Sequence, residues 1–303
     1  MTRYGRRFRR VSRSLSRVQL MRSSMDETFT LTDRDLLDKD AGRRFLDFYG
    51  DEGLRLALER YGFFEALTKR GWTDFTIDAH AHDAQHSLFL DGRPAGGGDA
   101  SRLIELTVRR DRLRIEPPAP QRTWDVLTVD WLSLRNPSGR FTKDRMRLPG
   151  QDAPGLGLGE LVAELLYRVV ARLKLDGLVT VAEYFHNAVL YARELPFADP
   201  AYQGQLDALS ALLFDREKLT FAQAAWAMHW GHVLDASDCV VRWKGEAMVK
   251  SADDELTSYL SSDEFRESAA RAAATLRYRL ARAPFEEEGA KNERALLEPT
   301  TDP

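Results

Sequence analysis

The chain has 303 residues, 43% hydrophobic and 30% charged, with a formal net charge of −3. At this length and composition the chain reads as a soluble, globular protein with a large buried core. No apolar run reaches the roughly 18 residues of a membrane-spanning helix, and a single cysteine, Cys239, excludes an intrachain disulfide framework and points to a reducing compartment, the cytoplasm by default.

The charge is unevenly spread. Residues 1–24, "MTRYGRRFRRVSRSLSRVQLMRSS", contain eight arginines and no acid, so residues 25–303 carry −11 against −3 for the whole chain. An acidic body speaks against nucleic-acid binding by the whole surface, which needs a basic face to displace counterions. The head reads as a disordered extension. Its composition also suits a basic arm for nucleic acid or anionic lipid, or a transit-like peptide. Met21 and Met25 both stand just before "DETFTLTDRDLL", which has the look of an ordinary protein beginning.

In "DEGLRLALERYGFFEALTKRGW", residues 51–72, the spacing of Leu54, Leu58, Tyr61 and Phe64 predicts an amphipathic helix. "TDFTIDAH", "HSLFLDG" and "SRLIELTVRRDRLRI" alternate apolar and polar residues between turn-forming clusters and read as half-buried antiparallel strands. After the proline-rich "EPPAPQRTW", the segment "VLTVDWLSL" is apolar on both faces, as a central strand is. The loop that follows concentrates Arg140, Lys143, Arg145 and Arg147. Leu158, Val162, Leu165, Leu166, Val169 and Leu173 then form one helical stripe, with Gly177 placed as its C-terminal cap. "LVTV" reads as a buried strand and "AEYFHNAVLYARE" as a helix. Beyond "LPFADP" the chain turns helical over 203–214 and 221–230, with a strand pair in "CVVRWKGEAMVK", a capping box from Ser261 to Glu264, and a disordered tail. The fold class is therefore α/β of the α+β type: a mixed, mainly antiparallel central sheet flanked by helices. The expected divisions are a head over 1–24, a core over 25–200, a helical C-terminal extension over 201–284 and a tail over 285–303.

"PGLGLGELVAELL", Pro154–Leu166, sets three glycines at alternate positions before a helix. Without Cβ atoms the backbone can approach an anion closely, and the amides of Gly155, Leu156, Gly157, Leu158 and Gly159 can donate to it. The same glycines also serve a tight turn. A P-loop requires Lys and then Ser or Thr after its last glycine, but Glu160 and Leu161 stand there. A dinucleotide fingerprint needs a different glycine order in a tight strand-to-helix turn.

Taken in order, "PGLGLGELVAELL", "DGLVTV" and "AEYFHNAVLYARELPF" resemble the core of the GNAT acyltransferase superfamily, over roughly residues 75–197 with motif content in 150–197. The resemblance implies a cofactor, acetyl-CoA or another acyl-CoA, with its pyrophosphate on Gly155, Leu156, Gly157, Leu158 and Gly159. It implies that "VLTVDWLSL" pairs with the pantetheine arm, that Asn187 contacts it, and that Tyr191 protonates the departing thiolate. An amine would accept the acyl group. The pattern departs from the family at Pro154, where an Arg or Gln is usual, and at Asn187, four residues before Tyr191 rather than seven. A non-catalytic binding or regulatory module is the alternative.

Acyl transfer needs a base for the amine and an acid for the thiolate. Glu183, His186 and Asp130 are candidate bases by position, the alternative for Glu183 and His186 being a structural role on their helix, and for Tyr191 that of a core tyrosine. A second cluster, Asp78, His80, His82, Asp83 and His86, begins as amidohydrolase metal sites do, yet those need a barrel and ligands from later strands. An edge strand with solvent-facing histidines is the alternative. "WAMHWGHV", with Trp226, His229, Trp230 and His232, reads as helical core or as the lining of an acceptor pocket.

Overall fold

The computed structural model describes residues 4–23, 44–116 and 119–298. Its main sheet has six strands, in spatial order β1 (Trp72–His82), β2 (Gln85–Pro94), β3 (Ser101–Arg114), β4 (Thr123–Leu134), β5 (Gly177–Val181) and β7 (Ala247–Ser251), with helices flanking it, as expected of an α+β fold. No helix among the described residues is long and apolar enough to cross a membrane.

Two compact units share the chain. One comprises Met1–Asp111, Asp125–Ser138 and Gly155–Leu175; the other comprises Arg112–Trp124, Gly139–Pro154 and Asp176–Pro303. The division is interleaved, whereas the change of sequence character places a boundary near residue 200.

In the first unit, β1 (Trp72–His82), β2 (Gln85–Pro94) and β3 (Ser101–Arg114) form an antiparallel meander, with Ile77 opposite Leu90 and Leu90 opposite Ile104. Alternation places Leu88 and Leu90 on the inner face. β4 (Thr123–Leu134) buries Val126, Leu127, Thr128 and Val129 in succession, which suits its place within the sheet. The helix expected over 51–72 is two helices, here numbered α3 (Asp51–Arg60) and α4 (Phe63–Thr68). Gly62 separates them at φ +78°, a conformation that favours glycine.

The head, read as a disordered extension, instead forms α1 (Gly5–Ser14) and α2 (Arg17–Met21), the latter opened by a capping box between Ser16 and Gln19. Phe8 is fully buried, its ring centroid 4.7 Å from that of Tyr61. α2 lies so close to α3 that a Cβ on Gly53 would sit 1.9 Å from the Leu20 carbonyl oxygen. Arg172 of α5 (Gly159–Leu173) donates to the carbonyls of Ser12 (2.6 Å) and Leu15 (3.0 Å). Packing around this docked head leaves an apolar cavity of ≈ 110 Å³ whose wall includes Ala57, Leu106, Val162 and Leu166.

α5 ends on Lys174 at φ +57°, so this residue, and not Gly177, takes the left-handed cap position. Gly177 opens β5 (Gly177–Val181) in the second unit, where a Cβ would come within 3.0 Å of the Lys250 carbonyl oxygen. β5 pairs antiparallel with β7 (Ala247–Ser251), Val179 opposite Val249. The strand pair expected in 239–250 is thus one strand with a distant partner; Val240 makes only an isolated bridge to Leu234 in β6 (Val233–Leu234), a strand that pairs with β8 (Arg279–Leu280).

Helices make up most of the rest of this unit. α6 (Phe185–Tyr191) is shorter than the run 182–194 suggests. α7 (Pro200–Ser210) continues into a π-helical turn, Ala211–Arg216, and α8 (Phe221–His229) follows. α9 (Asp254–Leu260) is capped by Asp253, which accepts from the Leu256 amide and from Trp124 Nε1. α10 (Asp263–Thr275) is capped by Ser262, one residue after the expected Ser261, which instead ends α9. α7 and α10 cross closely: a Cβ on Gly204 would lie 2.3 Å from the Ala269 carbonyl oxygen. The tail, expected to be disordered over 285–303, has its first part in α11 (Arg282–Asn292), which sends Phe285 into a core with Phe185, Phe197, Leu209, Leu213 and Met248, and 299–303 lie outside the described residues.

Candidate functional site

The glycine turn returns after the basic loop to pair beside the end of β4. Gly155 bridges to Arg135, and the Leu156 amide donates to the Leu134 carbonyl (3.2 Å). Its alternation has a simple physical basis. Leu156 and Leu158 are buried at 4% and 1% exposure and hold the turn, while Gly157 and Gly159 face outward. Only Gly157 needs positive φ (+66°). A Cβ added at Gly159 would meet nothing within 4 Å.

Leu158 caps α5 without a side-chain hydrogen bond, and the first intrahelical bond runs from the Val162 amide to the Leu158 carbonyl (3.0 Å). The amides of Gly159, Glu160 and Leu161 therefore precede the helical ladder at its positive end. Glu160 is also in this first turn, and its charge opposes a bound anion. Arg70 joins the turn without any mark in the local sequence. Its guanidinium donates to the carbonyls of Leu156 (2.6 Å), Gly157 (3.1 Å) and Ala66 (2.7 Å), fixing the carbonyl side of the turn from the end of α4. No local pattern signals it, since 86 residues separate it from Leu156.

The other candidates belong to the second unit. Glu183 is exposed just before α6, Asn187 is half-buried, and Tyr191 packs against the hydrophobic core, where burial raises its hydroxyl pKa. His186 is buried at 5% exposure, and its Nδ1 has no hydrogen-bond partner. Burial and, secondarily, the nearby His229 lower its pKa to about 4, so it is a neutral imidazole at pH 7. Tyr184 stacks on it at 5.3 Å between ring centroids and lies 6.2 Å from His229. Tyr184 fits because Gly150 faces it; a Cβ there would come within 2.7 Å of the ring. α6 and α8 thus bring Tyr184, His186 and His229 together.

Trp226 is a core residue, 7% exposed, and its indole donates to the Arg147 carbonyl (2.7 Å), which pins the basic loop. Of its companions, His229 is exposed, Trp230 packs against the core, and His232 pairs with Glu288 at 2.6 Å.

In the first unit, Asp130 is engaged by Arg109 (3.1 Å) and Gln85 (3.3 Å), so it is not poised as a base. His80 and His82 lie exposed on edge strand β1, beside Asp78 (2.9 Å) and Asp83 (3.4 Å). His86 is not solvent-facing: it is 2% exposed and accepts the Leu46 amide at Nδ1 (3.0 Å). Among the described residues no three His, Cys, Asp or Glu side chains are grouped to hold a metal.

No protein-family model matches the chain, and no curated protein or solved structure matches it.

Proposed function

We propose that the chain binds an acyl-CoA thioester, acetyl-CoA or a longer homologue, with the pyrophosphate held at the Gly157–Gly159 end of the turn and the first amides of α5, the Leu156 amide being already taken by the Leu134 carbonyl. The observation that carries this reading is the bare outer face of the turn: Gly157 and Gly159 are exposed and no side chain caps the helix. The likeness of the sequence 150–197 to the GNAT superfamily supports the choice of CoA over other phosphate ligands.

Acyl transfer to an amine is the activity proposed for that ligand. The amine nitrogen would attack the thioester carbonyl and lose a proton to a base, the carbon–sulfur bond would break, and an acid would protonate the thiolate. Tyr191, with its raised pKa, keeps its proton at neutral pH as such an acid must. Glu183 is the exposed candidate base. His186, with a pKa near 4, is a weak one. A non-catalytic binding module is the second reading, favoured by the packing of Tyr191 against the core and by Pro154, which offers no side-chain contact to phosphate.

Thermal denaturation tests the binding claim. Ligand at about 100 times its dissociation constant stabilises the fold by about 2.7 kcal/mol; no shift with millimolar acetyl-CoA or longer acyl-CoAs would remove the proposal. Given binding, release of free CoA with amine acceptors, abolished in Tyr191→Phe, supports the enzyme, whereas turnover unchanged in that variant rejects Tyr191 as the acid.

A further inference from the structure

Four arginines of α1, Arg6, Arg9, Arg10 and Arg13, are all exposed. They recur at i, i+3, i+4 and i+7, so they form one stripe along one face of the helix, while Phe8 anchors the opposite face in the first unit. The anchorage is extensive. Arg172 holds the carbonyls of Ser12 and Leu15, the Gly53 amide donates to the Arg22 carbonyl (3.2 Å), and Arg7 turns aside beside Gly62. α1 contains no acid. The stripe is thus a fixed array of cations on an otherwise acidic protein, spanning about 10 Å from Arg6 to Arg13 at 1.5 Å per residue.

We propose that this stripe is a sequence-independent docking surface for the phosphate backbone of duplex DNA. Guanidinium groups suit phosphate because their planar forks donate two hydrogen bonds at once. A duplex fits better than a single strand, because it concentrates about one negative charge per 1.7 Å of axis. Single-strand sites rely on exposed aromatic platforms, but Phe8 is buried between Tyr4 and Tyr61. A membrane surface fits less well. Interfacial helices insert an apolar face, and the apolar face of α1 is already docked; the exposed Val18 of α2 is a single side chain. The proposal stands apart from the acyl-CoA reading and survives its failure.

Fluorescence anisotropy of the full chain with a labelled DNA duplex of about 20 base pairs tests it, between about 50 and 200 mM salt. Phosphate contacts by Arg6, Arg10 and Arg13 predict a slope of log affinity against log salt of about −2.7, a loss of about 40-fold across that range. A single change to Gln at Arg6, Arg10 or Arg13 should reduce the slope by about 0.9. Combined Arg6→Gln, Arg9→Gln, Arg10→Gln and Arg13→Gln should abolish binding at an unchanged thermal midpoint, while Arg294→Gln in the exposed tail leaves binding intact. Should the combined variant not fold, the single-variant slopes decide. The proposal is overturned by absence of duplex binding at the lowest salt, by a slope near zero, by undiminished binding in the stripe variants, or by preference for phosphatidylserine vesicles or a single strand.

Discussion

Replacing Phe8 by alanine should release the head from the first unit. The side chain is fully buried, with ring centroids of Tyr61 and Tyr4 at 4.7 and 5.4 Å, so its truncation removes both transfer free energy and two aromatic contacts. Buried Phe→Ala changes cost about 3–5 kcal/mol, within which an aromatic pair accounts for roughly 0.5–1.5. Because the head precedes the sheet in sequence and contributes no strand to it, it can undock while the rest stays folded, and the loss falls on that local opening. Limited trypsin digestion measures it at Arg9, Arg10 and Arg13, whose cleavage tracks the open population when closing is fast. A loss of about 3 kcal/mol corresponds to at least about 100-fold faster cleavage, up to the rate of a fully undocked head. Equal cleavage of wild-type and Phe8→Ala protein at these sites would refute the docked head and, with it, the fixed arginine stripe.

Three further outcomes follow from packing and charge. His186 has its folded pKa depressed to about 4 from 6.5. Its contribution is therefore present above about pH 6.5 and lost as pH falls towards 4, worth about 3 kcal/mol in all; urea midpoints should fall over this window, and less steeply in His186→Phe, with parallel slopes counting against a buried neutral imidazole. Gly204→Val should destabilise the second unit by more than about 3 kcal/mol in urea denaturation, because its Cβ would overlap the Ala269 carbonyl and force α7 and α10 apart; a cost below about 1 kcal/mol would contradict the crossing. Ala57→Leu points into the ≈ 110 Å³ cavity and should raise stability by about 1 kcal/mol in the same assay. Destabilisation there would mean the cavity cannot take the added methyl groups.

The strands up to Val181 were legible because their signal is local, whereas the short pair β6 and β8 and the distant partner of β7 were not. Leu88 and Leu90 alternate with half-buried neighbours on β2, and four consecutive buried residues mark β4 as interior. Helix boundaries were less so. The apolar stripe Leu54, Leu58, Tyr61, Phe64 runs through Gly62 without interruption, and only the backbone reveals the break. Gly177 looked like a cap, but Lys174 adopts the left-handed conformation and the glycine serves a close strand approach instead. In the head, eight arginines dominate the composition, while docking depends on one phenylalanine and on Gly53 far along the chain. The glycine turn before its helix could be read directly, but not the burial of Leu156 and Leu158 that turns Gly157 and Gly159 outward. Arg70 could not, nor could the meeting of Tyr184 with His229, because side chains distant in sequence leave no local period.

Isothermal calorimetry of acetyl-CoA against the wild-type chain and Gly159→Leu tests the central claim most directly. Gly159 has ordinary backbone geometry and open space where a Cβ would stand, so leucine leaves the fold intact while covering the outer face of the turn. The account predicts saturable binding to the wild type and its loss in Gly159→Leu at an unchanged thermal midpoint. Absence of binding to the wild type by acetyl-CoA and longer acyl-CoAs alike, or equal affinity in the two proteins, would contradict it.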